Sequence, residues 1–340
     1  MELNLQDVSL TINGLVSYCK CKCKHCLLCS GDNRIQQIPY DKLEQLALKF
    51  EGFRAATGIN TSLCVYNCSD YPELPHAMEV DRKISAYAGY QNLNGTPIRS
   101  GRKLSEWVSY MKNECKVTNA NLSWFGNEVF HDSFVQCKGY YQYLIELATE
   151  LSTQKVNYHN TVFILHSNVE MLEELYSILN NLGGTISFTL LDYRGNAKKL
   201  KNEFLTQEDS EKLPGFLLQK NLYNAKRNKL EADWVSLIKK GQLPNLTSRM
   251  MFLVATPDNV DSYLHMTCDE IIEMFHKMDK ELQHSIPSIS ELANRYGNET
   301  NILIDFRSLL WMWIDRWFED NPELDKSLVF SDLHTSIMWR

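Results

Sequence analysis

The sequence predicts an α/β fold: a partial (β/α)6-type TIM barrel with a mainly helical C-terminal extension. Two observations predict it. Short β-rich runs alternate with helical stretches about six times in roughly the first two hundred residues. After about residue 205 the chain turns charged and helical, with breaks such as Pro214-Gly215.

The units follow in order. Residues 9–18 (SLTINGLVSY) are β-rich and form the first strand. Across 40–56, Leu43, Leu46 and Phe50 fall at helical spacing, with Gly58 as the stop. Residues 61–66 form a second strand that ends in Asn67-Cys68-Ser69-Asp70, and 75–90 are mostly helical. A weak third strand is read at 96–100, followed by a helix over 104–114. Strand 120–125 precedes a long helix over 133–151, and strand 160–165 precedes a helix over 169–182. On that last helix Leu172, Leu175, Leu179 and Leu182 make one apolar stripe, closed by Gly183-Gly184 as a left-handed cap. Residues 185–191 are the sixth strand. Right-handed crossovers between parallel strands curl such a chain into a full or partial barrel, with its chemistry at the C-terminal strand ends. The barrel core is therefore expected over residues 1–205. The extension is expected over 206–340, packed on the barrel, with 250–255 as a further strand. The aromatic run Trp311-Met312-Trp313-Ile314-Asp315-Arg316-Trp317-Phe318 reads as packing.

Composition narrows the function. A hydrophobic fraction of 44% and a charged fraction of 23% suit a globular protein with a sizeable core. The formal net charge of −7 disfavours nucleic acid and anionic membrane as partners. The first residues lack a basic segment followed by an apolar one, and no apolar run approaches the ~20 residues that span a bilayer. A cytoplasmic protein is expected.

Of the ten cysteines, five crowd into positions 19 to 29: Cys19, Cys21, Cys23, Cys26 and Cys29. In a reducing compartment such a cluster points to metal binding or catalysis. Cys19, Cys23 and Cys26 make a C-x3-C-x2-C triplet directly after the first strand, and Lys20, Lys22 and Lys24 favour thiolates there. Two other readings stand beside it. Cys23, Cys26 and Cys29 begin a ferredoxin-type pattern that lacks its further Cys. A zinc site needs a second knuckle, for which His265-Met266-Thr267-Cys268 is the one distant candidate.

A strand followed by C-x3-C-x2-C resembles the radical SAM superfamily. The resemblance implies that Cys19, Cys23 and Cys26 hold a [4Fe-4S] cluster whose fourth iron takes the methionine end of S-adenosyl-L-methionine (SAM). His25 stands where the family often has an aromatic residue, and Cys21 and Cys29 are extra to the pattern. Ser69 and Asp70, after the second strand, look like the Ser-Asp variant of the stretch that contacts the methionine amino group. The resemblance further implies SAM contacts at Ser123, Asn127 and Glu128 after the fourth strand, at Ser167 after the fifth and at Arg194 after the sixth. The implied chemistry is reductive SAM cleavage to a 5′-deoxyadenosyl radical that takes hydrogen from a small-molecule or peptide substrate. A flavodoxin- or ferredoxin-type protein is the implied electron donor. Beyond Cys137 only Cys268 remains, so a single cluster is expected.

Overall fold

The computed structural model describes residues 7–14, 19–26, 38–65, 71–86, 88–242, 248–297 and 300–324. In chain order, the first two units are β1 (Asp7–Gly14), α1 (Tyr40–Leu48), α2 (Phe53–Thr57), β2 (Asn60–Val65) and α3 (Leu74–Ile84). Next come β3 (Tyr90–Asn92), α4 (Gly101–Asn113), β4 (Asn119–Trp124), α5 (Glu128–Val135) and α6 (Tyr140–Thr153). The series closes with β5 (Asn157–Ile164), α7 (Leu172–Leu182) and β6 (Thr185–Leu190). The C-terminal part holds α8 (Gln207–Glu211), α9 (Phe216–Gln219), β7 (Asn228–Leu230), α10 (Glu231–Lys239) and β8 (Ser248–Ala255). It ends with α11 (Val260–His265), α12 (Cys268–Ser285), α13 (Ile289–Tyr296), β9 (Leu303–Asp305) and α14 (Phe306–Asp320).

The strands form two parallel sheets, ordered β2-β1-β8 and β3-β4-β5-β6, which together make a partial barrel; β7 and β9 pair antiparallel. Strand β8, from the C-terminal part, lies parallel to β1 along its whole length, with Asp7 opposite Ser248 and Gly14 opposite Ala255.

Period-two alternation decides what each strand face meets. On β4, Ala120, Leu122 and Trp124 are buried, whereas Asn121 and Ser123 between them are only half-buried. On β5 and β6, buried Val162, Ile164, Phe188 and Leu190 alternate with His159, Thr161, Ser187 and Thr189. The polar set bonds across the strands on one face. Thr161 donates to Asn121 (2.8 Å), and the His159 ring meets Thr185 and Ser187 (both 2.7 Å). On the other sheet Ser62 donates to Thr11 (3.2 Å). Each buried aliphatic side chain contributes ~1.5–3 kcal/mol, so the alternation sets the register. A barrel of this kind ordinarily fills its interior with branched apolar residues; this one lines much of it with hydroxyls and amides.

Three elements depart from the sequence expectation. The third strand is Tyr90–Asn92, and 96–100 is a loop, where Pro97 withholds a backbone donor. The helix expected over 40–56 breaks at Gly52, whose φ of 76° no continuing helix adopts. The single helix expected over 133–151 is two helices. Gln136 (φ 53°) and Gly139 (φ 77°) turn the chain, and the Asp132 carboxylate accepts the Gly139 and Tyr141 N–H groups. Gly183 and Gly184 end α7 as expected, and a side chain on Gly184 would meet the Tyr158 ring at 2.6 Å. The run from Trp311 is packing as expected, with Trp311, Trp313, Ile314 and Phe318 buried on α14. Tyr193 N–H donates to Ser308 (3.0 Å), and Lys198 pairs with Asp315 (2.6 Å), which fastens α14 to the segment after β6. Among the described residues no helix is long and apolar enough to cross a membrane.

Candidate active site

Beyond β1, residues 19–24 bear cysteines and lysines in alternation. Lys20, Lys22 and Lys24 are exposed, Cys21 is buried, and Cys19 and Cys23 are half-buried. The lysine N–H groups moor the loop. Lys20 N–H donates to the Gly95 carbonyl (2.8 Å), Lys22 N–H to Val135 (2.9 Å) and Lys24 N–H to Phe134 (3.0 Å). The last two acceptors lie at the C-terminus of α5, where helix carbonyls lack partners of their own. Cys26 N–H closes a turn onto Cys23 (3.0 Å), and the Cys26 carbonyl accepts from Asn196 N–H beyond β6 (3.0 Å).

Cys19, Cys21, Cys23 and Cys26 line a cavity of about 750 Å³. The Cys21 thiol is in hydrogen-bond contact with those of Cys19 and Cys23. That contact lowers the Cys19 pKa, against burial, which raises it. The same contacts, then burial, drive the Cys21 pKa strongly up. Cys19 is thus the better thiolate and Cys21 the better donor. His25 packs as an aromatic ring against Phe125 (4.8 Å between centroids), Phe163 (5.1 Å) and Phe134 (5.5 Å), and burial depresses its pKa to about 4. An uncharged imidazole thus serves the aromatic role expected before Cys26.

The walls of the cavity mix apolar side chains, among them Leu63, Leu74, Met78, Phe125 and Phe252, with polar ones, and are nearly uncharged. Ser9, Thr11, Asn60, Ser62, Asn94 and Ser123 contribute to them. Asp81, which accepts the Leu63 N–H (2.8 Å), is the single carboxylate among the described lining residues, and burial raises its pKa. Several buried polar atoms here lack a hydrogen-bond partner: His25 Nδ1, both His131 ring nitrogens, the Tyr140 hydroxyl and Asn60 Oδ1. Buried polar groups rarely go unpaired, so such a concentration marks a place built for another molecule. Four thiols lining a large cavity, backed by unpartnered polar groups, fit an iron–sulfur cluster with a polar co-ligand. No three His, Cys, Asp or Glu side chains among the described residues are spaced for a single metal ion, and a cluster needs a wider spread than one ion.

The residues expected to touch SAM are placed unevenly. Ser69 and Asp70 lie outside the described residues, as does Cys29. Ser123 lines the cavity, held by Asn94 through its N–H (2.7 Å) and its Oγ (3.0 Å). Asn127 caps α5, accepting from Phe130 N–H (3.1 Å), and Glu128 beside it is exposed. Ser167 is exposed and donates to Glu203 (3.0 Å). Arg194 is half-buried, with Asp192 at 3.9 Å. All five stand at or just beyond the C-terminal ends of β4, β5 and β6, and Ser123 alone of them is among the cavity-lining residues. Asn94, His131 and Tyr140 also line it and carried no motif signal, because a turn and a helix–helix corner bring them there.

No family model and no curated protein matches the sequence. Solved structures do. The native protein anSMEcpe with bound AdoMet matches at a TM-score of 0.53 and 15% identity, over 92% of this chain and 97% of its own. The same protein with AdoMet and the Cp18Cys peptide matches at 0.52 and 14% identity, over 93% and 97%. This chain shares the fold of these AdoMet-bound structures. Coproporphyrinogen III oxidase (HemN) from Escherichia coli, described as a radical SAM enzyme, lies further off at 0.41 and 10% identity, over 64% and 53%. In this fold the cysteine loop follows β1 and lies against α5 and the turn after β3.

Proposed function

We propose that the chain is a radical SAM enzyme acting on a small-molecule or peptide substrate, with the peptide favoured. The observation that carries this reading is that Cys19, Cys23 and Cys26 all line one large cavity in a chain of this fold. A [4Fe-4S] cluster with SAM would supply one-electron cleavage to methionine and a 5′-deoxyadenosyl radical, which takes a hydrogen atom from the substrate.

The protein's own groups bind, orient and shield. Cys19, Cys23 and Cys26 hold the cluster, and the mooring of Lys20, Lys22 and Lys24 to Gly95, Val135 and Phe134 fixes their spacing. Ser123 offers a hydroxyl toward SAM from inside the cavity. Ser69 and Asp70 are assigned to the methionine ammonium, which needs a carboxylate acceptor. Asn127, Glu128, Ser167 and Arg194 serve from the rim, with Arg194 as a carboxylate partner. His25, stacked among Phe125, Phe134 and Phe163, walls the loop from water on that side.

The cavity lining supports the substrate class. Hydroxyls and amides set among apolar side chains, with almost no charge, suit a neutral peptide, whose backbone needs hydrogen-bonding groups and whose side chains need apolar contacts. The structure of anSMEcpe with a bound peptide agrees with that choice. Exposed Lys20, Lys22 and Lys24 on the outer side of the loop offer a cationic approach for an acidic flavodoxin- or ferredoxin-type donor.

The test is anaerobic reconstitution with iron and sulfide, followed by electron paramagnetic resonance of the reduced protein with and without SAM. A cluster signal that changes shape on SAM addition is expected. A protein that takes up one zinc and no iron, or whose cluster signal ignores SAM, would sink the reading.

A further inference from the structure

The corner between α5 and α6 holds the cysteine loop and a polar group that the proposed function leaves unused. Tyr140 is the first residue of α6, and its side chain is 2% exposed. Its place is set by the Asp132 carboxylate, which grips the N–H groups of Gly139 and Tyr141 on either side. The same corner supplies the Phe134 and Val135 carbonyls that moor the loop at Lys24 and Lys22. Loop and tyrosine are thus tied to one rigid turn.

Tyr140 lines the cavity, and its buried hydroxyl lies within electrostatic reach of Cys21 and Cys19 with no well-formed hydrogen bond. The Thr96 hydroxyl comes within hydrogen-bonding reach of it, but is engaged by Tyr143 (2.8 Å) and the Leu93 carbonyl (3.3 Å). A buried phenol that donates to nothing is destabilising, so its retention on the cluster side calls for an acceptor. Thiolate and sulfide sulfurs are such acceptors, and donors to them favour the reduced cluster, which carries one more negative charge.

Resting on the cluster reading above, we propose that Tyr140 is a positioning residue that donates a hydrogen bond to sulfur on the Cys19–Cys21 side of the cluster and raises its reduction potential. The experiment is a redox titration, followed by electron paramagnetic resonance, of reconstituted wild type and Tyr140→Phe. Equal iron and sulfide content with a lower midpoint potential in the variant is expected. A second variant, with 3-fluorotyrosine at position 140, keeps the ring and strengthens the donor, so its potential should move the opposite way. Unchanged potentials in clusters of full occupancy would overturn the inference and leave the cluster reading intact. A wild type that assembles no cluster would overturn both. If Tyr140→Phe does not fold, the fluorinated chain alone decides, by its upward shift or the lack of one.

Discussion

Buried polar groups behave differently at the two ends of the chain. In the C-terminal part the buried carboxylates are paired, although the Tyr223 hydroxyl is not. Glu231, 2% exposed, accepts from Thr300 N–H (2.7 Å), the Thr300 hydroxyl (2.6 Å) and Trp313 Nε1–H (3.1 Å). Asp305 caps α14 by accepting from Arg307 N–H and Ser308 N–H (both 3.1 Å), and Ser308 in turn accepts from Tyr193 N–H. Around the cysteine loop, by contrast, His25, His131 and Tyr140 bury atoms without partners. Pairing marks polar groups that hold the fold together, whereas the unpaired atoms of His25, His131 and Tyr140 belong to cavity-lining residues.

The sharpest way to break this comparison is at the cysteines. Replacing Cys19, Cys23 or Cys26 by Ala should lower bound iron from about four per chain to near zero, whereas Cys21→Ala and Cys29→Ala should keep the cluster. Iron and sulfide assays decide it, and an essential Cys29 beside a dispensable Cys19 would shift the register. At the paired end, Glu231→Ala strands three donors and should cost about 3 kcal/mol in urea unfolding.

Acid should act through the unpaired end. Burial pushes the His131 pKa down to about 4, from 6.5 when exposed. Between those values the unfolded chain binds a proton that the folded chain refuses. Stability is therefore full above about pH 6.5 and falls as pH drops toward 4, by about 2 kcal/mol between pH 7 and pH 5 for this one group. The apo protein unfolded in urea at the two pH values tests this, and His131→Phe should lose that share of the dependence. At pH 7 the smallest effect is expected. His131→Phe discards no hydrogen bond and should leave apo stability within about 1 kcal/mol of wild type, in contrast to Glu231→Ala.

Much of the fold was legible because its signals are local. Alternation such as Ala120-Asn121-Leu122-Ser123-Trp124 marks a strand and also separates its cavity side from its helix side. The C-x3-C-x2-C spacing at Cys19, Cys23 and Cys26 marked the loop. The break between α5 and α6 was hidden, because apolar spacing continues through it while Asp132 and Gly139 make the turn. Strand β3 was misplaced because three residues carry no periodicity. Neither the pairing of β8 with β1 nor the turning of His131 and Tyr140 into the cavity has a local signature. Both depend on contacts between segments far apart in sequence.

The central claim is that the three cysteines serve SAM cleavage, and its most direct measure is the nucleoside product. Reconstituted protein, reduced without oxygen and given SAM, should release 5′-deoxyadenosine, and the Cys19→Ala, Cys23→Ala and Cys26→Ala variants should release none. A brown, cluster-bearing wild type that forms no 5′-deoxyadenosine would contradict the account.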